Sequence, residues 1–203
     1  MLIKIYPNSP NSKEIKRVTD KLENDGVIIY PTDSVYAMGC SLKSKKGLER
    51  ILQIKNINKK TATFSLICDS LSNISDYAKI DTPTFKLLKK NLPGAFTFIL
   101  TASNKVPDKL LGKRKQIGIR IPDNDIPIAI VKELGVPILT TSIKIDDNFM
   151  EYASDPELID EKFGNLVDLC IDGGEGGVIP STIVDCSSLD FEIIRQGKGE
   201  LII

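Results

Sequence analysis

Histidine is absent from all 203 residues of the chain. Its absence excludes a Ser-His-Asp triad, a Cys-His catalytic pair and every metal site that needs an imidazole ligand. Any chemistry must therefore use lysine, arginine, carboxylates, hydroxyls and backbone amides. This set of groups suits the binding and polarising of anions such as phosphates better than proton abstraction near pH 7.

Paired cysteines and long apolar runs are also missing. Four cysteines lie far apart and form no Cys-x-x-Cys pair: Cys40, Cys68, Cys170 and Cys186. Three of the four sit in apolar runs. We predict buried free thiols in a reducing cytoplasm, with metal ligation as the alternative. No apolar run reaches the roughly 18 residues needed to span a bilayer, and no signal-peptide pattern is evident. We therefore expect a cytoplasmic protein without membrane contact.

Two common nucleotide-binding motifs are missing as well. The sequence contains no G-x-x-x-x-G-K-[ST] phosphate-binding loop and no G-x-G-x-x-G after a strand. A nucleotide site in this chain must be of another kind.

The net charge is zero, but the charges are unevenly distributed. Residues 41–120 contain 17 Lys/Arg and 5 Asp/Glu, a balance of +12, and the rest of the chain has a balance of −12. A solvated helical surface explains many of these lysines. The alternative is a polyanionic partner, either a nucleotide or RNA.

Strand-like and helix-like segments alternate along the chain with short connections. This order predicts an α/β fold with a mixed sheet in a single domain, residues 1–203. We predict helix caps at Ser12, Ser44 and Thr82, and a helix end at Gly135. Strands are predicted at 2–6, 27–30, 63–68, 96–100, 116–121, 138–141, 166–171, 182–185 and 192–195, and helices at 12–24, 44–55, 82–90, 126–134 and from 154 onwards.

The most informative segment follows the apolar run Val27–Tyr30. Pro31 ends this predicted strand because proline lacks the N–H that a ladder needs. Thr32, Asp33, Ser34 and Tyr36 follow. Polar groups at the end of a buried strand lie where open α/β sheets bind ligands. Taken by itself, this segment can also be interpreted as a simple turn after the strand.

Further polar groups end or flank other predicted strands. Arg120 lies inside an apolar run, so it needs an anionic partner, either a ligand or a structural carboxylate. Hydroxyls and an arginine mark three more strand ends: Thr140, Thr141, Ser142, Ser181, Thr182 and Arg195. The glycine-rich segment 173–177 is predicted to be either a mobile loop over a site or a wide turn.

Taken together, these segments resemble the YrdC-like family, the threonylcarbamoyl-adenylate synthases. The matching motifs occur in family order over nearly the whole chain: 30–39, Pro93-Gly94 with 97–100, 118–122, Thr141-Ser142, 180–185 and 195–197. The resemblance implies a twisted mixed sheet with flanking helices around a large concave basic cavity. It also implies condensation of L-threonine, bicarbonate and ATP to threonylcarbamoyl-AMP and pyrophosphate, a step towards N6-threonylcarbamoyladenosine in tRNA.

The resemblance also implies residue roles. Lys55 and Ser142 would be catalytic. Substrate contacts would come from Thr32, Tyr36, Arg120, Thr141 and Ser181, and nucleotide contacts from Lys55, Ser142, Lys144, Ser181, Thr182 and Arg195. ATP would enter as a substrate with Mg²⁺, without a tightly bound cofactor or a metal held by the protein.

Two family motifs are incomplete in this chain. The arginine of Lys-x-Arg is replaced by Ile57, and the asparagine of Ser-x-Asn is replaced by Lys144. Lys144 or Lys59 are the candidates to compensate. These changes resemble the YciO branch of the family. The alternatives to a synthase are a non-catalytic protein that binds double-stranded or structured RNA through the basic half, and a nucleotide-binding regulator.

Overall fold

The computed structural model describes residues 1–58, 62–111, 113, 115–143, 153–188 and 190–203. Within these residues the strands are β1 (Leu2–Lys4), β2 (Val27–Tyr30), β3 (Ala37–Ser41), β4 (Ser65–Ile67), β5 (Phe96–Thr101), β6 (Gln116–Arg120), β7 (Ile138–Ser142), β8 (Leu169–Asp172), β9 (Thr182–Asp185) and β10 (Glu192–Arg195). The helices are α1 (Ser12–Glu23), α2 (Lys45–Ile54), α3 (Leu71–Tyr77), α4 (Thr82–Asn91), α5 (Asp125–Leu134) and α6 (Pro156–Phe163), with a short 3₁₀ helix at Asp108–Leu110.

All ten of these strands form one sheet in the order β1-β8-β2-β3-β7-β4-β6-β5-β9-β10. Four neighbouring pairs are parallel: β1 with β8, β8 with β2, β4 with β6, and β5 with β9. The other five pairs are antiparallel. The mixed α/β sheet predicted from the sequence is therefore confirmed.

Helices cover both faces of the sheet because side chains alternate between the faces along each strand. On one face, α1 and α5 share a hydrophobic cluster with β1, β2, β3, β4, β7 and β8, to which β2 contributes Ile28. On the other face, α2, α3, α4 and α6 share a larger cluster that includes the next residue of β2, Ile29. Among the described residues, the α1–α5 cluster contains nothing from β5, β6, β9 or β10. This part of the sheet is where polar side chains gather.

The helix ends follow capping rules, with two corrections to the predicted caps. Ser44 accepts from the Gly47 amide as predicted, and Gly135 ends α5 with a φ of 69°. Asn11, not Ser12, caps α1. Asp81, not Thr82, caps α4, because its carboxylate accepts from the Thr84 amide at 2.9 Å. In both cases the neighbouring residue also has a capping side chain, so sequence alone places the cap one residue too late.

Among the strands and α-helices described, two were not predicted, β3 and α3. Every residue of β3 is buried, so the strand shows no alternation of apolar and polar residues, and it consists mostly of small residues. Helix α3 has seven residues, too few for a clear helical period. The predicted strand at 166–171 is instead Leu169–Asp172, because Asp168 uses its carboxylate to accept from the Val27 amide.

All four cysteines are buried and unpaired, as predicted. Burial raises the pKa of Cys40 to about 12. In the part of the chain that the structure describes, no helix is long and apolar enough to cross a membrane.

Candidate functional site

A row of small residues crosses the part of the sheet that α1 and α5 leave uncovered. Ser65 of β4 is in register with Gly118 of β6. A Cβ on Gly118 would lie 2.5 Å from the Ser65 hydroxyl and 3.0 Å from the Thr97 methyl group. Thr97 in turn shares a 2.8 Å hydrogen bond with the hydroxyl of Ser181. This part of the sheet is therefore rich in hydroxyl groups.

The loop 31–36, which we call the motif loop, borders this row. Its shape is fixed by Thr32, whose hydroxyl accepts from the Ser34 amide at 3.1 Å and donates to the Val35 carbonyl at 2.7 Å. Such local bonds are typical of Ser and Thr in turns. Thr32 and Ser34 are both buried, and their hydroxyls are 3.1 Å apart.

Arg120 forms a buried ion pair with the motif loop. Its guanidinium donates to Asp33 at 2.7 Å and to the Ser34 hydroxyl at 3.0 Å, and the side chains of Arg120 and Asp33 are only 8% and 7% exposed. The second carboxylate oxygen of Asp33 accepts from the Asp123 amide. The expected anionic partner of Arg120 is thus a structural carboxylate. Within the described part of the chain, the Nε of Arg120 is nevertheless buried without a hydrogen-bond partner, and buried polar groups rarely remain unpaired.

Two further cations lie beside this pair. Arg195 donates to the Ser181 carbonyl at 2.7 Å. Burial, and then the charge of Arg120, lower the pKa of Arg195. Lys198 donates to the Asp33 carbonyl at 2.6 Å. We did not predict Lys198, because an exposed lysine three residues after Arg195 carries no sequence signal.

Lys55 and Ser142 meet on the other side of the motif loop. The Lys55 ammonium donates to the carbonyl of Ser142, and burial lowers the pKa of Lys55 to about 8. Ser142 is in register with Ala37, which directly follows the motif loop. The predicted pair of Lys55 and Ser142 is therefore brought together. Lys59 and Lys144 lie outside the described residues.

Three other predicted ligand residues differ in how the sheet and the loops orient them. Thr141 is one position from Thr140 and two from Leu139, so it faces the side of the sheet opposite to Thr140. Thr182 is fully buried, and its hydroxyl binds the Gly199 carbonyl at 2.6 Å and the Gly197 amide at 2.9 Å.

Tyr36 is the third of these residues. It is fully buried, and its hydroxyl lies between Gly173 and Gly174. In the structure, the segment 173–177 packs on the motif loop. The strand-end pattern gave the segments that meet here but not the direction of each side chain.

The row of hydroxyls and the motif loop together form the candidate site. A cleft of about 430 Å³ lies elsewhere, between the start of α4 and the end of β9, and none of the predicted site residues lines it. Its lining residues are Lys79, Ile80, Asp81, Thr84, Thr101, Cys186, Ser187 and Ser188.

The described residues also contain no group of three His, Cys, Asp or Glu side chains suited to a metal ion. Both carboxylate oxygens of Asp33, the acidic residue of the motif loop, are already engaged. The residues at the site therefore do not fit a metal held by the protein.

Comparison with known proteins places this geometry in a family. A family model described as Sua5_yciO_yrdC, Telomere recombination, matches residues 20–197. The uncharacterised protein YciO of Escherichia coli (strain K12) is 40% identical over 97% of this chain and 95% of its own length. A threonylcarbamoyl-AMP synthase of Buchnera aphidicola is 30% identical over 71% of this chain and 89% of its own.

Two solved structures agree with the sequence comparison. The crystal structure of E. coli YciO has a TM-score of 0.90 at 38% identity and covers 98% of this chain and 97% of that one. P. abyssi Sua5, complexed with L-threonine, has a TM-score of 0.85 at 22% identity over 97% of this chain and 57% of that one, and shows a shared fold. The predicted twisted α/β fold and its closeness to YciO are thus confirmed, and the chain belongs to the Sua5/YciO/YrdC family.

Proposed function

We propose that this protein binds L-threonine and an adenine nucleotide and carries out a reaction of the threonylcarbamoyl-AMP synthase type. One observation carries the proposal. Three cations lie close together: Arg120 pairs with the carboxylate of Asp33, Lys198 donates to the backbone carbonyl of Asp33, and Arg195 is near enough to Arg120 for their charges to interact. Only one of the three pairs with the Asp33 carboxylate, and the Nε of Arg120 is buried without a hydrogen-bond partner among the described residues. Such a surface, bordered by hydroxyls, favours an anionic ligand.

The residues then divide into two groups around the motif loop. Arg120 and the hydroxyls of Thr32, Ser34 and Ser181 would hold the carboxylate and hydroxyl of L-threonine. Lys55 and Ser142, beyond the loop, would hold the nucleotide phosphates, and Arg195 would neutralise charge between the two substrates.

The reaction fits a chain without histidine. The amine of threonine adds to bicarbonate, which gives a carbamate and water. A carbamate oxygen then attacks the α-phosphorus of ATP, the bond to the bridging oxygen breaks, and pyrophosphate leaves. This step needs close approach and neutralised charge more than a strong base. Because the site does not fit a protein-held metal, Mg²⁺ would enter only as the counter-ion of the ATP phosphates.

Product formation tests this proposal directly. The protein is incubated with labelled bicarbonate, L-threonine, ATP and Mg²⁺, and label in threonylcarbamoyl-AMP is measured together with released pyrophosphate. We expect both products in equal amounts, and neither when L-threonine is omitted. A protein that releases no pyrophosphate at substrate-like protein concentrations would refute the synthase activity.

A second candidate, binding of double-stranded or structured RNA, is favoured by the position of the basic residues. Helices α2 and α4 pack on the same face of the sheet, and their lysines point to solvent: Lys45, Lys46, Lys86, Lys89 and Lys90. Exposed lysines on an outer surface suit the backbone of a duplex, since few aromatic residues are available for base stacking.

A further inference from the structure

Tyr36 lies where three segments of the candidate site meet. Its hydroxyl accepts from the Gly173 amide at 3.1 Å and donates to the Gly174 carbonyl at 2.8 Å. Its own backbone carbonyl accepts from Ile143, the residue after Ser142, at 3.3 Å. One buried residue therefore ties the motif loop to the end of β7 and to the segment 173–177, which we call the glycine loop.

The glycine loop packs on the motif loop too closely for side chains. A Cβ on Gly176 would lie 2.6 Å from the Tyr36 ring, and a Cβ on Gly177 would lie 2.1 Å from the carbonyl oxygen of Ser34. The Gly176 amide also donates to the Ser154 carbonyl at 2.7 Å. The glycine loop leads through Pro180 to Ser181, so its position on the motif loop affects residues on both sides of the proposed threonine site.

The hydroxyl of Tyr36 remains a donor over the whole physiological pH range, since burial raises its pKa well above the ordinary value. Among the described residues, side-chain hydrogen bonds between the motif loop and the glycine loop come from this hydroxyl, which binds Gly173 and Gly174. Loss of the hydroxyl would leave the Gly173 amide and the Gly174 carbonyl to water and would loosen the loop.

We propose that Tyr36 is a positioning residue, whose hydroxyl holds the glycine loop against the motif loop and so sets the separation of Ser34 and Ser181 for L-threonine. This inference rests on the proposed function for the identity of the ligand. It replaces the direct substrate contact that the family resemblance implied for Tyr36.

The test compares Tyr36→Phe with a matched control, Tyr30→Phe. Tyr30 is also fully buried, and its hydroxyl donates to Thr140 at 2.6 Å, away from the glycine loop. Amide hydrogen exchange of residues 173–177 is measured without ligand, and the dissociation constants of L-threonine and ATP are measured by calorimetry. For Tyr36→Phe we expect about tenfold faster exchange at Gly173, about tenfold weaker L-threonine binding and ATP binding within about twofold of the unsubstituted protein.

Tyr30→Phe should change none of these three values. Gly176→Ala provides a second variant, because its new methyl group would press on the Tyr36 ring and displace the loop with the hydroxyl intact; it should also weaken L-threonine binding. Unchanged exchange in Tyr36→Phe, or faster exchange with unchanged L-threonine affinity in both variants, would overturn the positioning role. If the unsubstituted protein binds no L-threonine, the proposed function fails, and the exchange data still decide whether Tyr36 holds the loop.

Discussion

Buried and partly buried charged side chains dominate the candidate site. Arg120 and Asp33 are 87 positions apart in the sequence but pair with almost no exposure to water. Removing charges from water is costly, and the cost is recovered only when the pair is complete. Lys55 shows the same effect in another form, since burial moves its pKa towards neutrality. Local environment, rather than residue type, decides what these groups do.

Asp33→Asn should destabilise the protein strongly. It leaves Arg120 charged, buried and without its carboxylate partner, which typically costs about 3–5 kcal/mol. The free energy of unfolding is measured in urea. Asp76→Asn is the control, because its pair with Lys105 is 50% and 57% exposed, and exposed pairs contribute at most about 1 kcal/mol. Equal losses in the two variants would contradict a structural role for the buried pair.

ATP binding should weaken with rising pH because of Lys55. In the free protein its pKa is about 8, below its usual value of 10.5. Below pH 8 the Lys55 ammonium is charged and can bind a phosphate of ATP. Above pH 8 Lys55 loses its proton and its charge, so the affinity for ATP should fall by up to about tenfold per pH unit. The ATP dissociation constant is measured by calorimetry from pH 7.5 to 9.5. Lys55→Arg should bind ATP without this dependence; the same decline in both proteins would exclude Lys55 as its cause.

Rising pH has the opposite effect on the contribution of Lys55 to the stability of the fold. Because the folded pKa lies below the unfolded value, the charged form is disfavoured in the folded state below pH 8. This disadvantage disappears as pH rises from about 8 to 10.5, so the contribution of Lys55 to stability increases over that interval.

At the scale of elements, β3 organises the sheet around the motif loop. It lies between β2 and β7 with every residue buried. Gly39 allows this packing, since a Cβ there would lie 2.5 Å from the Ile138 side chain and 3.0 Å from the Leu139 carbonyl. A side chain at this position has no room unless β3 and β7 separate.

Gly39→Ala should therefore destabilise the protein by about 1–3 kcal/mol through overpacking. Met38→Leu in the same strand nearly conserves volume and should cost less than about 1.5 kcal/mol. Both free energies of unfolding are measured in urea. If Gly39→Ala is the more stable of the two, β3 is not packed against β7 as described.

Sequence patterns predicted an element well where its signal lies in neighbouring residues, and poorly where its burial depends on distant parts of the chain. Strands β2, β9 and β10 begin and end where predicted. For β2 the signal is local, because Gly26 and Pro31 bound its apolar run. Strand β3 was missed because its burial comes from distant partners and leaves no local pattern. In the site, the need of Arg120 for an anion was visible, but Asp33 as that anion was not. Likewise, the direction of Tyr36 depends on the glycine loop, which lies about 137 positions away.

At the scale of the whole molecule, α2 and α4 both present exposed lysines. The exposed lysines of α2 and α4 lie on the layer opposite to α1 and α5. Zero net charge hides this arrangement, since the acidic excess falls outside residues 41–120. A surface of this kind attracts polyanions at low ionic strength and releases them as salt is added.

If the α4 surface binds RNA, affinity for duplex RNA should fall linearly with salt on logarithmic axes. Replacing Lys86, Lys89 and Lys90 by Glu should reduce the slope by about 3. The control replaces Lys13, Lys16 and Lys21, which are exposed on α1, with the same change in charge. Binding is followed by fluorescence anisotropy between 50 and 300 mM salt, about the range where phosphate contacts are lost. Equal effects of the two triple variants would argue against a specific basic surface.

The four buried thiols can be used to detect local and global unfolding. They are spread over the sheet, with Cys40 in β3, Cys68 after β4, Cys170 in β8 and Cys186 after β9. Each is shielded from solvent, and burial keeps each in the unreactive protonated form. A thiol reagent should therefore label the folded protein hardly at all and the unfolded protein four times. Peptide mapping after brief labelling would then show which strands separate first, without any engineered probe.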